Sequence, residues 1–281
     1  MQDQEENLSP PVKAILSCGD DFQLVRQSSA MIEEYQGRVR DLSVGRKAAL
    51  DRLTSKYERP EVLARTGLSP SRLTQLLTAA PRPERALLGT GTVIVALGGK
   101  HEAGKDRPGV TISEEDVVAW ELLRTACDEH GLKSLYEVIP VGGAINLNRP
   151  NLTVICGPRL SPQLAQILES DSNLSFEKDQ FGWYLVDHGA GRIHRSPADN
   201  GEPADYAYLG RFPRPDGKGH FLYMAGIHAT GCAIAAHCLI NNLKRLHTEV
   251  KKKRFSMLAK GTFDPMTKQV LTSEIASEIY K

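Results

Sequence analysis

Three apolar runs, each closed by glycine, limit what this 281-residue chain can fold into more than any other feature. They are "TVIVALGG" (92–99), "LTVICG" (152–157) and "HFLYMAG" (220–226). A strand with one wet face alternates apolar and polar residues. These runs do not alternate, so both faces must be buried, as in the middle of a parallel sheet. Helical stretches follow them: "SEEDVVAWELLRTACDEHG", "SPQLAQILES" and "CAIAAHCLINNLKRLHTEVKKK". The first has Ser113 as its expected N-cap, acids in its first turn and Gly131 as its stop. Strands alternating with helices predict a three-layer α/β domain over residues 92–281. "FGWYLVDH", "RIHRSP" and "YAYLGRF" read as hairpin strands that extend its sheet.

The first 91 residues have a different texture. Residues 20–40 carry Phe22, Val25, Ala30, Ile32 and Val39 among charges and read as a helical arm. With the preceding residues it forms a segment 1–43, a candidate dimerisation element or simply a helix packed on its own domain. Residues 44–80 hold "VGRKAALDRLTSKY" and then two short helices, "PEVLARTG" and "SPSRLTQLLTAA", divided by Gly67. Residues 81–91, with Pro81, Pro83, Gly89 and Gly91, read as the linker. Charge separates along this region. Residues 1–37 have seven acids and two bases, whereas residues 38–85 have eleven Lys or Arg and five acids. The basic excess surrounds Gly67, where a polyanionic partner would need it.

A helix-turn-helix needs glycine at its turn, because the backbone there takes positive φ. It also needs apolar residues at fixed offsets so that the helices pack steeply. Val62 and Leu63 before Gly67, with Leu68, Leu73 and Leu76 after it, supply that set. Ser69 can cap the second helix and Pro70 suits its first turn. Ser69, Pro70, Ser71, Arg72, Thr74, Gln75 and Thr78 are then left to meet base edges and phosphates of double-stranded DNA, with Arg46 and Lys47 as further phosphate contacts. One departure is Leu63, at an offset that usually holds alanine; here the alanine is Ala64. A single such unit covers little DNA, so a homodimer on a two-fold site is expected.

Ligands of open α/β sheets bind at the carboxyl ends of strands. Three loops qualify: "GGKHEAGK" (98–105), "CGPRLSP" (156–162) and "AGIHATG" (225–231). Gly98, Gly99, Gly157, Pro158, Gly226 and Gly231 would let a ligand approach the backbone. Lys100 and Arg159 add positive charge, while Ser161, His228 and Thr230 donate hydrogen bonds. Free amides at a helix start favour an anion, so a phosphorylated or nucleotide-like small molecule is the expected ligand. "DYAYLGRFPRPDG" adds Asp205, Tyr206 and Arg211 as candidate contacts, with a core tyrosine and surface ion pairs as the duller explanation.

Enzymatic chemistry has fewer signs. Cys232 at a helix start is a candidate low-pKa thiol, and Asp199 or Asp205 could act on a glycosidic bond. No triad, metal quartet or Walker sequence is present, and His228, Cys232, His237 and Cys238 do not share a helix face as zinc ligands would. The expectation is a non-enzyme without cofactor or metal. The five widely spaced cysteines, Cys18, Cys127, Cys156, Cys232 and Cys238, read as reduced and mostly buried thiols. No run approaches the roughly 18–20 apolar residues of a membrane span. The polar, acidic "MQDQEENLSP" is unlike a signal peptide, so the expected location is the cytoplasm.

From "GRKAALDRLTSKYERPEVLARTGLSPSRLTQLL" onward the chain resembles actinobacterial helix-turn-helix regulators related to the sigma-factor region that reads the promoter's upstream element. "PRPERALLGTGTVIVALGGK", "NLNRPNLTVICGPRLSP", "YLGRFPRPDGKGHFLYMAGIHATG" and "EVKKKRFS" resemble the domain fused to it, so the likeness covers residues 45–281. The resemblance implies a transcription regulator whose Rossmann-like C-terminal domain senses a ligand, and distantly a nucleotide-sensing fold that includes nucleoside phosphohydrolases. The glycine-rich acidic motif of those hydrolases is not visible here. Two rivals remain: a nucleotide or nucleoside hydrolase with a helical tether, and a helical module that grips RNA polymerase.

Overall fold

The computed structural model describes residues 9–79, 83–104 and 106–281; for residues 40, 78 and 79 it describes the backbone only. Residues 80–82 of the expected linker, Lys105 and the Thr78 side chain therefore lie outside what is described. The chain divides into two compact units, Met1–Pro83 and Glu84–Lys281.

The first unit is all-helical. Helix α1 spans Pro10–Leu16 and α2 spans Asp21–Lys56, with the Asp20 carboxylate accepting from the Phe22 and Gln23 amides at its start. The expected boundary at residues 43 and 44 does not exist, because α2 runs straight through it. Gly45 is its only interruption nearby, and a glycine costs a helix about 1 kcal/mol without breaking it as proline would. Helix α3 (Arg59–Thr66) ends at Gly67, whose φ of 69° is left-handed. Helix α4 (Pro70–Ala79) starts where the Arg72 amide donates to Ser69 Oγ at 3.2 Å. Leu50 of α2, Val62 of α3 and Leu73 and Leu76 of α4 form one buried cluster, with Leu63 and Leu68 packed against it.

The second unit is a mixed α/β domain. In chain order it holds β1 (Val93–Gly98), a short hairpin β2 (Lys100–His101) and β3 (Val110–Thr111), α5 (Glu114–Glu129), β4 (Ser134–Ile139), β5 (Leu152–Ile155) and α6 (Pro162–Leu168). Next come β6 (Leu174–Asp179), β7 (Gly182–Asp187), β8 (Arg192–Arg195), β9 (Ala204–Pro213) and β10 (His220–Gly226). Helices α7 (Ala229–Asn241) and α8 (Leu243–Val250) and strands β11 (Phe255–Phe263) and β12 (Val270–Ile275) complete it. The main sheet has the order β12-β11-β9-β10-β5-β1-β4. Its β10, β5, β1 and β4 are mutually parallel, while β9, β11 and β12 are joined antiparallel.

The three apolar runs are the adjacent strands β10, β5 and β1. Side chains alternate across each strand. Val95 and Leu97 of β1 therefore join a core with α5, α7 and α8 on one face, while Ala96 joins a second core on the other. That second face is covered by α6 and by the antiparallel sheet β6-β7-β8. Here the structure corrects the sequence reading: "FGWYLVDH" and "RIHRSP" build this separate sheet, and only "YAYLGRF" (β9) extends the main one. A second correction concerns residues 83–91. Pro83–Leu87 form a 3-10 turn in which Arg85 is buried and donates to the His130 carbonyl. Leu87 and Leu88 enter the first core, so this stretch anchors the α/β unit.

Candidate functional site

The next strand of the main sheet after β1, β4, lies on one side of it, while β5 lies on the other. Connections that leave a strand in opposite directions open a crevice at its carboxyl end. The loops after β1, β5 and β10 meet at that edge. The resulting cavity is walled by Lys100 from the first loop, Gly157, Pro158 and Arg159 from the second, and Gly226, Ile227 and His228 from the third. Phe176 and Trp183 of the small sheet close one side, and Asp116 and Cys232 line it from α5 and α7. The cleft is partly open to solvent, and its deep part is small, about 20 Å³ at the scale of a water molecule. Pro158, Phe176 and Trp183 also border an adjoining cavity of about 360 Å³. A roomier groove, about 560 Å³, lies between α5, α7 and the β11–β12 turn, away from the glycine loops.

Of the residues expected to hold a ligand, Lys100, Gly157, Pro158, Arg159, Gly226 and His228 come together. The others do structural work. A Cβ on Gly98 would lie 2.7 Å from Cys156 Sγ, and one on Gly99 2.6 Å from the Ile139 carbonyl, so both glycines serve strand packing. Ser161 is fully buried and caps α6 through the Leu164 amide. Thr230 and Gly231 are buried in the first turn of α7.

Asp205 is fully buried and does not line the cavity. Its Oδ1 accepts from the Tyr206 amide at 2.8 Å and its Oδ2 from the His228 amide at 2.9 Å. Burial pushes this carboxyl up to about 6 against the pull of Ser196 and those two amides. Asp205 is thus a strut under the third loop. Tyr206 lies against His194, with ring centroids 4.9 Å apart, and its carbonyl accepts from the Ile227 amide.

Arg211 is corrected outright. It pairs in register with Leu222, near the start of β10 and so at the opposite end of the sheet from the glycine loops. Its guanidinium is spent on the Lys251 and Lys253 carbonyls, at 2.7 and 2.9 Å. Desolvation lowers it to about 10.

Asp116, like Phe176 and Trp183, is a cavity residue that sequence reasoning missed. It looked like an ordinary first-turn acid of α5, yet it is buried, with Ser113 Oγ donating to its Oδ2 at 2.5 Å. Burial raises its pKa above the usual carboxylate range, opposed by the hydrogen bonds from Ser113 and Cys232 and by the nearby charge of Lys100. Cys232 was expected to be activated by its helix start. Burial, reinforced by Asp116, instead pushes its thiol well up, and desolvation takes Cys156 to about 12. A raised pKa disfavours the thiolate that a nucleophilic cysteine needs. At the mouth, His228 Nε2 and Asp199 Oδ1 share a 2.7 Å hydrogen bond that orients the imidazole.

In the helical unit, α4 turns Leu73 and Leu76 inward and leaves Ser71, Arg72, Thr74 and Gln75 exposed, with Ser69 and Pro70 exposed before them. Arg59 Nη2 donates to Thr74 Oγ1 and Arg72 Nη1 to Gln75 Oε1, each at 2.6 Å. Arg46 is exposed, and the half-exposed Lys47 pairs with Asp51 at 2.8 Å. Among the described residues, no helix is long and apolar enough to cross a membrane.

Set against known protein families, curated proteins and solved structures, the chain finds no match in any of the three.

Proposed function

We propose that this protein is a ligand-responsive DNA-binding transcription regulator of the cytoplasm. In this reading α3, Gly67 and α4 are a helix-turn-helix of the actinobacterial regulator type that the sequence resembles. The Rossmann-like α/β unit is its sensor, taking a phosphorylated or nucleotide-like small molecule at the three loops. The observation that carries the reading is the division of α4: leucines inward, and a contiguous run of short polar side chains with Arg72 and Gln75 outward. Arg72 and Gln75 now satisfy one another, and each can exchange that bond for a phosphate or a base edge. Lys100, Arg159 and the amides opening α7 supply the positive potential that an anion needs. For the ligand to control DNA binding, it must favour one arrangement of the protein over another. Of the residues named for the hydrolase alternative, Asp205 is enclosed and burial raises the Cys232 thiol, while Asp199 stays accessible beside His228.

The test is a gel-shift titration against the upstream region of the protein's own gene, with and without a panel of nucleotides. Binding should weaken by at least about tenfold between roughly 50 and 200 mM salt. Arg72→Ala with Gln75→Ala should cost about 1–3 kcal/mol of discrimination between sequences. Salt-insensitive binding, or none, would remove the proposal. Unchanged DNA behaviour with lost RNA polymerase binding would favour the interaction-module rival.

A further inference from the structure

Helix α2 is 36 residues long, and its last two turns, from Leu50 onward, belong to the core shared with α3 and α4. The part before that core carries a line of large apolar side chains in solvent. Phe22 is 80% exposed, Val25 64%, Ile32 55%, Val39 61% and Leu42 75%, with Tyr35 beside them at 38%.

Apart from Phe22, which falls at an e position, their spacing is a heptad. With Val25 as position a, Ile32 and Val39 fall at the next two a positions, and Ser28, Tyr35 and Leu42 at d. Every a residue is β-branched, the a-position choice of two-stranded parallel coils, and Leu42 supplies the leucine those coils place at d. Charge placement agrees. Arg26, Glu33, Glu34 and Asp41 occupy b and c positions, away from the seam. The e and g positions are Phe22, Leu24, Ser29, Met31, Gln36, Arg38 and Ser43, and the one charge among them, Arg38, is paired along its own helix with Glu34 at 2.6 Å. Two copies can therefore meet without like charges facing each other. The next a position is Arg46, which ends the seam before the three-helix core begins.

Each of the five exposed seam side chains would bury roughly 100 Å², so two copies would bury on the order of 1,000 Å², about the area a biological interface must clear.

We infer that residues 25–42 of α2 form a parallel, in-register, two-stranded coiled coil with a second copy of this chain. The inference supplies the pairing that a two-fold DNA site asks for, but it stands on α2 alone. The parallel arrangement puts both three-helix cores at the same end of the coil.

Light scattering on the full chain, without DNA, should give twice 30.9 kDa, and Ile32→Glu should give the single-chain mass with the α/β unit's melting unchanged. The second measurement does not depend on how a charged variant folds. In a chain carrying Cys18→Ser, so that the remaining native thiols are buried, Val39→Cys should oxidise to a disulfide-linked dimer. A single-chain mass for the unaltered protein at micromolar concentration overturns the inference, whether the stripe is then covered by another protein or by the chain itself. A dimer whose Val39→Cys form does not cross-link overturns the parallel register. A single-chain species that still shifts DNA would sink the coil and leave the regulator reading intact, whereas a cross-linking dimer that ignores DNA would do the reverse.

Discussion

Replacing Gly226 with alanine should damage the α/β unit far more than the same change at Gly157, although both glycines line one cavity. A Cβ on Gly226 would lie 2.1 Å from the His228 carbonyl oxygen and 2.5 Å from Gly231 Cα. Both obstacles are backbone, so neither can swing aside. The turn from 226 to 231 must shift instead, and it is held by the Ile227 amide on the Tyr206 carbonyl at 3.0 Å and the His228 amide on Asp205 Oδ2 at 2.9 Å. Overpacking of this kind costs about 1–3 kcal/mol. Weakening a hydrogen bond to a buried carboxylate adds about 1–3 kcal/mol. Taking about 3 kcal/mol in all, and roughly 2–4 °C per kcal/mol for a unit of this size, the melting temperature should fall by about 6–12 °C. At Gly157 the nearest atom to a new Cβ is Arg159 Cγ at 3.8 Å, and φ is −64°. Alanine fits there and restricts the unfolded chain, so the change should be neutral or stabilising by up to about 1 kcal/mol. Circular dichroism melts of the full chain would compare the two. A Gly226→Ala variant melting within about 2 °C of the parent, or a Gly157→Ala variant falling as far, would refute the claim that the third loop is clamped by its own backbone.

The other expectations concern charge and access. Lys100→Ala and Arg159→Ala should each weaken calorimetrically measured phosphate or nucleotide binding by about tenfold, because the half-buried Lys100 and the exposed Arg159 are the cations of the cavity wall; undiminished binding in the double variant would place the anion elsewhere. Asp205 titrates near 6 when folded and near 3.8 otherwise, so its protonated form favours the fold. That stabilisation, on the order of 3 kcal/mol, is complete below about pH 4 and lost as pH rises through 6. The melting difference between parent and Asp205→Asn should therefore shrink across that window, and a pH-independent difference would mean the carboxylate is not held in a desolvated site. Iodoacetamide should label Cys18 in the native protein and the four buried thiols only on unfolding; rapid labelling of Cys156 or Cys232 would show the cavity to be open.

What the sequence made legible follows the range of the forces involved. Burial of β1, β5 and β10 on both faces is written in each strand's own residues, and glycine at their ends marks where chain must turn without side chains in the way. Convergence of the three loops then follows from strand order alone. The turn at Gly67 and its cap at Ser69 are equally local. Arg211 went wrong because its partners, the Lys251 and Lys253 carbonyls, lie 40 and 42 residues away, and no local pattern in "GRFPRP" announces them. Strand β11 escaped notice because Lys260 and Gly261 interrupt its apolar run and it follows a basic stretch that reads as a helix end. Asp116 is the most instructive case. A carboxylate in the first turn of a helix is normally a solvated partner of the helix dipole, and sequence offers no way to see otherwise. Here α7 packs against α5, and Cys232 and the loops close over the same carboxylate, so burial wins over solvation and the group becomes part of the cavity floor. Its chemistry is set by neighbours that only the tertiary fold brings near. That is the general reason why the cationic rim of this site could be read in advance and its acidic floor could not.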